Sequence, residues 1–91
     1  MLKIRYFSRF KKDYKLMQKR GYDLEKLKTA VRMLCNAESL PEKYKDHLLS
    51  GNYAGFRECH IEPDWLLIYK VEEEIITLTL TRTGTHSDLF K

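Results

Sequence analysis

Apolar residues recur at strand-like and helix-like spacings along this chain, and the spacings predict the elements of its first third. Alternation over residues 2–7 predicts a strand. Ser8 is predicted to be the N-cap of a first helix, which Gly21 ends. Within that helix, aromatic and apolar side chains recur at helical spacing: Phe10, Tyr14 and Met17.

A second apolar stripe follows directly and predicts a second helix. Asp23 is its predicted N-cap, and its stripe consists of Leu24, Leu27, Val31 and Leu34. Because the connection between the two helices is short, we expect an antiparallel helical hairpin. Residues 36–51, which include Pro41, are predicted to form a loop.

Three strand patterns complete the chain. They cover residues 56–61, 65–71 and 75–81, with a turn at 72–74. The middle pattern, WLLIYKV, is apolar enough to be buried on both faces. The sequence therefore predicts an α+β fold: an N-terminal strand, a helical hairpin and a three-stranded antiparallel meander, with two helices on one face of a small sheet. With 91 residues we expect one domain, residues 1–91.

Charge is distributed unevenly. Residues 1–32 hold eleven Lys and Arg against three Asp and Glu, whereas the remainder holds six against ten. This asymmetry is typical of a surface that meets a polyanion or an acidic protein, and equally of a solvated helix face. The sequence has no apolar run of membrane-spanning length and no secretory signal, so we expect a cytoplasmic protein without a membrane partner. Cys35 and Cys59 are expected to be free thiols in the core.

All three histidines lie in the second half of the chain. His47 falls in a polar loop, His60 at the end of a predicted strand, and His86 just after a predicted turn. Histidine exchanges protons near neutral pH, and the nearby Arg82 offers a guanidinium fork suited to phosphate. We hypothesise that a sheet edge and two loops bring these groups together. For any histidine alone, a structural role is the better interpretation.

Three further residues have two interpretations each. Asp64 could orient a histidine or accept a proton, but Pro-Asp also favours a plain turn. Phe90 could stack on a base or dock its tail onto the core. Trp65 opens an apolar strand, and its composition favours the core over ligand stacking. By strand alternation, Arg57 lies on the face opposite His60.

The combination of histidines, an acid and an arginine suits one reaction class. Cys59 and His60 are adjacent and point to opposite faces, and no CxxC or HxxxH spacing occurs, so we expect no metal site and no cofactor. RNA carries its own nucleophile, the 2′-hydroxyl. An enzyme need only deprotonate it, stabilise the charge on the phosphate and protonate the leaving 5′-oxygen.

The stretch YKDHLLSGNYAGFRECHIEPDWLLIYKV, followed by TRTGTHSDLF, closely resembles YafQ-type toxins of the RelE superfamily. The resemblance implies a ribosome-dependent mRNA endonuclease that cuts message in the decoding site. It implies His86 as general acid, and His60 or His47 with Asp64 as base. It also implies Arg82 at the phosphate, and Trp65 and Phe90 as residues that shape or support the site. The expected products are a 5′-hydroxyl and a 2′,3′-cyclic or 3′ phosphate.

The resemblance also implies partners. These are a DinJ-like antitoxin, the ribosome with its RNA, and mRNA; the toxin alone is expected to be a monomer, and its complex with antitoxin could be a heterotetramer. The basic helices supply candidate contacts to ribosomal RNA phosphates: Lys11, Lys12, Lys15, Lys19, Arg20, Lys26 and Lys28. Two alternatives remain, a ParE-like toxin that inhibits DNA gyrase without nuclease activity and a plain RNA- or protein-binding module of this fold.

Overall fold

The apolar strand patterns of the second half build the centre of a five-stranded sheet. A computed structural model describes residues 1–90 of the chain. Its sheet has the order β1-β5-β4-β3-β2, in which β1 runs parallel to β5 and all other neighbours are antiparallel. The strands are β1 Lys3–Tyr6, β2 His47–Leu48, β3 Arg57–Glu62, β4 Trp65–Glu72 and β5 Thr77–Gly84. The helices are α1 Ser8–Lys19, α2 Leu24–Cys35 and α3 His86–Leu89. The α+β fold class is confirmed.

The helix boundaries follow the sequence pattern with one correction. Asp23 is the N-cap of α2, and its side chain accepts a hydrogen bond from the Glu25 amide at 3.1 Å. Gly21 follows α1 at a φ of +82°, a conformation that glycine adopts at little cost. Ser8 is not the N-cap of α1: it is the first helical residue, and Phe7 occupies the cap position without a side-chain hydrogen bond.

Three further differences concern short elements. The predicted loop 36–51 contains strand β2 and a 3₁₀ turn, and the strand is too short to show alternation. Strand β5 starts at Thr77 rather than Ile75, because Glu73–Ile75 form a 3₁₀ turn and Ile76 is left-handed, at a φ of +51°. Helix α3 is absent from the sequence prediction, because its four residues are too few to show helical periodicity.

Strand β4 is buried on both faces, as its composition predicts. On one side, here called the helix face, Trp65, Leu67 and Tyr69 pack in one cluster with side chains of α1 and α2. On the other side, here called the α3 face, Leu66 and Ile68 pack with residues of α3 and of the segment before β3: Leu89, Leu49, Tyr53 and Phe56. The α3 face is therefore covered by short segments rather than by long helices.

Helix α3 is held in place by polar contacts at its start. Thr85 and Asp88 form a capping box, in which the Thr85 amide donates to Asp88 at 2.9 Å and the Asp88 amide donates to the Thr85 hydroxyl at 3.2 Å. Arg20 at the end of α1 donates to both Asp88 oxygens, at 2.7 and 3.2 Å. The hydrogen bond from Arg20 is the main reason that the pKa of Asp88 lies well below its usual range.

A buried threonine on β5 provides a test of the sheet packing. The Thr83 hydroxyl accepts from the Trp65 indole at 2.9 Å and donates to the Leu66 carbonyl at 2.7 Å. Thr83→Val removes both bonds, so we expect the free energy of unfolding to fall by about 1–3 kcal/mol in urea titrations. Thr81→Val is the matched control, because the Thr81 hydroxyl is buried with no partner among residues 1–90. Equal losses of stability in both variants would contradict this interpretation.

The Asp88 contacts predict a pH-dependent contribution to stability. The pKa of Asp88 is lowered by folding, so its stabilising contribution is present above the unfolded-state pKa of about 4 and is lost as pH falls below it. At neutral pH, Asp88→Asn should reduce the free energy of unfolding by about 1 kcal/mol. The difference from wild type should narrow in acid, as measured by denaturant titration at several pH values.

The control for this measurement is Ser87→Ala, an exposed position on the same helix. It should leave stability unchanged across the same pH range. A difference between wild type and Asp88→Asn that stays constant down to strongly acid pH would contradict the assignment of this pH dependence to Asp88.

Candidate active site

The sheet register places two predicted site residues in one row across four strands. His47 on β2 lies opposite Glu58 on β3, Glu58 lies opposite Ile68 on β4, and Ile68 lies opposite Arg82 on β5. Directly opposed residues project from the same face of a sheet. This row lies on the α3 face, where Ile68 is part of the smaller apolar cluster.

The next row brings His60 onto the same face. His60 lies opposite Leu66, which lies opposite Gly84 at the end of β5. Arg57 and Cys59, by contrast, lie opposite Tyr69 and Leu67 on the helix face, as strand alternation predicts. His47, His60 and Arg82 therefore share one face of the sheet.

Glu58 connects the first two histidines. Its Oε1 lies 3.4 Å from His47 Nε2 and 3.8 Å from His60 Nε2, and the two imidazole centroids are 6.5 Å apart. The Glu58 side chain is only 6 % exposed, whereas that of His47 is 49 % exposed and that of His60 24 %. The imidazoles thus stand between a buried carboxylate and solvent.

Backbone carbonyls fix which nitrogen of each imidazole faces the carboxylate. His47 Nδ1 lies 2.7 Å from the Lys45 oxygen, and His60 Nδ1 lies 3.2 Å from the Pro63 oxygen. A carbonyl oxygen only accepts, so each Nδ1 carries a hydrogen and donates it. In the neutral form of either ring, Nε2 is then the atom with a free lone pair.

The turn between β3 and β4 links His60 to the third histidine. Asp64 Oδ1 accepts a hydrogen bond from the His86 amide at 2.9 Å, while the neighbouring Pro63 carbonyl accepts from His60. Asp64 therefore positions the backbone of His86. The His86 ring is exposed, and no contact between the Asp64 carboxylate and an imidazole nitrogen is found within residues 1–90.

Phe90 directly follows α3, and its ring is partly docked. Its ring centroid lies 5.1 Å from that of His86 and 5.8 Å from that of Tyr53, the latter in an edge-to-face arrangement. Phe90 nevertheless remains 37 % exposed. Its ring contacts aromatic neighbours and is still partly accessible, so the docked interpretation holds in part and stacking on a base stays a prediction.

Arg82 is held by an aspartate that the sequence pattern does not identify. Its Nε and Nη2 donate to Asp13 on α1 at 2.6 and 3.1 Å, and Asp13 also accepts from the Thr83 amide at 3.1 Å. The hydrogen bond with Asp13 raises the pKa of Arg82, and the Tyr53 hydroxyl contributes a smaller effect in the same direction. Asp13 thus fixes the guanidinium and leaves Nη1 outside this bidentate pair.

Trp65 lies away from the other predicted site residues. Its side chain is fully buried on the helix face, where it packs edge-to-face on Tyr22 at 5.1 Å and donates to Thr83. It therefore cannot stack on RNA. Any contribution to the site is limited to supporting β4 and β5 from the opposite side of the sheet.

The seven basic residues predicted to contact ribosomal RNA divide into two groups. Three form ion pairs: Arg20 with Asp88, Lys26 with Glu62 at 2.9 Å and Lys28 with Glu25 at 3.3 Å. The other four are exposed on α1 and form no ion pair with any of residues 1–90: Lys11, Lys12, Lys15 and Lys19. Of these seven residues, the four without an ion pair therefore all lie on α1.

Sequence reasoning missed Glu58, Asp13 and Tyr53. Glu58 had a usable signal, because Glu-x-His within a strand places both side chains on one face. Asp13 had none, since its partner Arg82 is 69 positions away.

Among residues 1–90, no three His, Cys, Asp or Glu side chains are arranged to hold a metal ion. No helix of the described chain is long and apolar enough to cross a membrane.

Comparison with known proteins gives consistent results. The chain is 48 % identical to the mRNA interferase toxin YafQ of Escherichia coli K12 over 88 residues, which cover 96 % of this chain and 94 % of the relative. A metal-bound toxin from Helicobacter pylori superposes with a TM-score of 0.93 at 46 % identity, covering 99 % of this chain and 100 % of that one. YafQ from the E. coli DinJ–YafQ complex superposes with a TM-score of 0.91 at 46 % identity, over the full length of both chains.

A family model described as the bacterial toxin of type II toxin–antitoxin systems, YafQ, matches residues 2–91. Together with the relative that shares nearly half of its residues over 96 % of the chain, this match shows the family. The chain belongs to the YafQ family of bacterial type II toxin–antitoxin toxins.

Proposed function

We propose that this protein is the toxin of a type II toxin–antitoxin pair and acts as a ribosome-dependent mRNA endoribonuclease without a catalytic metal. The observation that carries the proposal is that His47, His60 and Arg82 share one face of the sheet, with His86 tied by its backbone amide to the turn next to His60. The 48 % identical E. coli relative, named an mRNA interferase, supports the same activity.

The proposed reaction uses the 2′-hydroxyl of the message as nucleophile. Nε2 of His60 or His47 takes the 2′-hydroxyl proton while the 2′-oxygen bonds to phosphorus. The bond from phosphorus to the 5′-oxygen breaks, and His86 gives its proton to that oxygen. The products are a 2′,3′-cyclic phosphate, which water can open to a 3′ phosphate, and a 5′-hydroxyl.

The remaining site residues bind and orient the RNA in this proposal. Arg82, held by Asp13, stabilises the negative charge that builds on the phosphate oxygens. The exposed side of Phe90 stacks on a base next to the scissile bond. Asp64 keeps His86 in place through the backbone amide rather than by accepting a proton.

Two macromolecular partners complete the proposal. The lysines of α1 bind phosphates of ribosomal RNA, because they are exposed and lack intramolecular ion pairs among the described residues. A DinJ-like antitoxin holds the toxin inactive, by analogy with the DinJ–YafQ complex of E. coli.

The assignment of His86 as general acid predicts a large rate loss on substitution. His86→Gln should slow cleavage of ribosome-bound message by about 10²–10⁴-fold, because the leaving oxygen then departs without a proton donor. Single-turnover cleavage, followed by primer extension, measures this rate. Ser87→Ala, the exposed neighbour on α3, should cleave at the wild-type rate.

Two outcomes would overturn the proposed function. Intact message together with an SOS response in cells that express the chain would instead indicate a gyrase inhibitor. Loss of cleavage with a chelator that removes transition metals but leaves magnesium on the ribosome would contradict metal-independent chemistry.

The α1 lysines predict salt-dependent ribosome binding. Replacing Lys11, Lys12, Lys15 and Lys19 with Gln should weaken ribosome binding and lower the slope of log affinity against log salt by about one for each phosphate that is no longer neutralised. Lys26→Gln with Lys28→Gln is the control, because these lysines are paired with Glu62 and Glu25. An unchanged slope in the α1 variant would place the RNA-binding surface elsewhere.

A further inference from the structure

Glu58 occupies an unusual environment for an acidic residue. Its side chain is 6 % exposed, and Oε2 is buried without a hydrogen-bond partner among residues 1–90. Burying a carboxylate without compensation is costly, so its position requires a favourable partner. The basic atoms that face its other oxygen, Oε1, are the Nε2 atoms of His47 and His60.

When both imidazoles are neutral, neither Nε2 carries a hydrogen that could be donated to the Glu58 carboxylate. Each Nδ1 hydrogen is directed to a backbone carbonyl, of Lys45 or of Pro63. In this neutral form each Nε2 is therefore an acceptor without a hydrogen, and it lies 3.4 Å (His47) or 3.8 Å (His60) from Oε1, which is also an acceptor. One added proton on either Nε2 turns this mutual repulsion into a charge-assisted attraction.

We infer that His47, Glu58 and His60 act as one base unit, in which Glu58 is a positioning residue that stabilises the proton taken from the RNA 2′-hydroxyl. The inference rests on the proposed function and assigns a role to a residue outside the three histidines. As the O2′–H bond breaks, an N–H bond forms on Nε2, and the resulting imidazolium lies beside the Glu58 carboxylate. The proton stays within the unit, so Glu58 undergoes no net change.

Glu58 acts through the imidazoles and not on the RNA, because its side chain is buried beneath them. Its contribution therefore belongs to the nucleophile side of the reaction. His86, which is tied to the Asp64 turn, belongs to the leaving-group side. A substrate that no longer needs leaving-group protonation can separate the two roles.

Glu58→Gln keeps the size of the side chain and removes its charge. We expect single-turnover cleavage at saturating ribosome-bound message to fall by about 10²-fold, with the half-saturating message concentration unchanged. Glu62→Gln makes the same chemical change on the same strand, at an acid paired with Lys26, and should cleave at the wild-type rate. Thermal unfolding checks that both variants remain folded.

The decisive measurement uses a message whose scissile 5′-oxygen is replaced by sulfur. A thiolate leaves without protonation because thiols are far more acidic than alcohols. This substrate should restore most of the rate of His86→Gln and none of the rate of Glu58→Gln. Rescue of Glu58→Gln would place Glu58 on the leaving-group side, and a wild-type rate in Glu58→Gln would remove it from the mechanism; either result overturns the inference.

A second variant covers the case in which Glu58→Gln does not fold. Glu58→Asp keeps the charge but withdraws the carboxylate by one methylene from contacts already at 3.4 and 3.8 Å. Glu58→Asp should cleave message more slowly than wild type, and the sulfur-substituted message should not restore its rate. A wild-type rate in this variant would contradict the inference. Suppose that wild type cleaves ribosome-bound message and His86→Gln cleaves it slowly, while the Glu58 variants cleave at the wild-type rate. Only the inference about Glu58 then fails. If wild type leaves ribosome-bound message intact, the proposed function fails.

Discussion

The burial of strand β4 on both faces is the constraint on which the structure depends. Leu66, Leu67 and Ile68 are fully buried, yet their side chains point alternately to opposite sides of the sheet. Helices α1 and α2 cover one side. The other side is covered by α3 and by the segment between β2 and β3. His86 lies on α3, His47 lies on β2 directly before that segment, and His60 lies on β3 after it. The candidate site is therefore the polar margin of the smaller apolar cluster.

Ion pairs from α1 tie this margin to the larger core. Arg20 at the end of the helix holds Asp88 of α3, and Asp13 in its middle holds Arg82 of β5. The Arg82 pair is largely buried, with both side chains 13 % exposed, so removing either partner would leave a charge with little solvent. Helix α1 thus has two roles: its lysines are exposed to solvent, and Asp13 together with Arg20 at its C-cap fixes side chains next to the candidate site.

The helices and strands that could be predicted from sequence are those long enough to show a repeating spacing of apolar residues. The apolar stripe of α2 and the WLLIYKV run of β4 define both layers and their packing. Strand β2 has two residues and α3 has four, so neither shows a period, although they carry His47 and His86. The cross-strand row from His47 to Arg82 depends on register, which a bulge between Ile68 and Tyr69 shifts. Residue types therefore identified the candidate groups, and only the register shows that they share a face.

The candidate site includes one group that destabilises the fold, the buried carboxylate of Glu58. Glu58 has one buried oxygen without a hydrogen-bond partner among residues 1–90. Such a carboxylate lowers the stability of a small domain, in which only roughly 60 % of the chain surface is buried on folding. An apolar residue at position 58 would pack beside Ile68 without that cost. What such a residue could not do is stabilise a positive charge on the imidazoles above it. The energetic cost of burying Glu58 is thus intelligible if the protonated state of the base unit matters more to this protein than the stability of its unliganded fold.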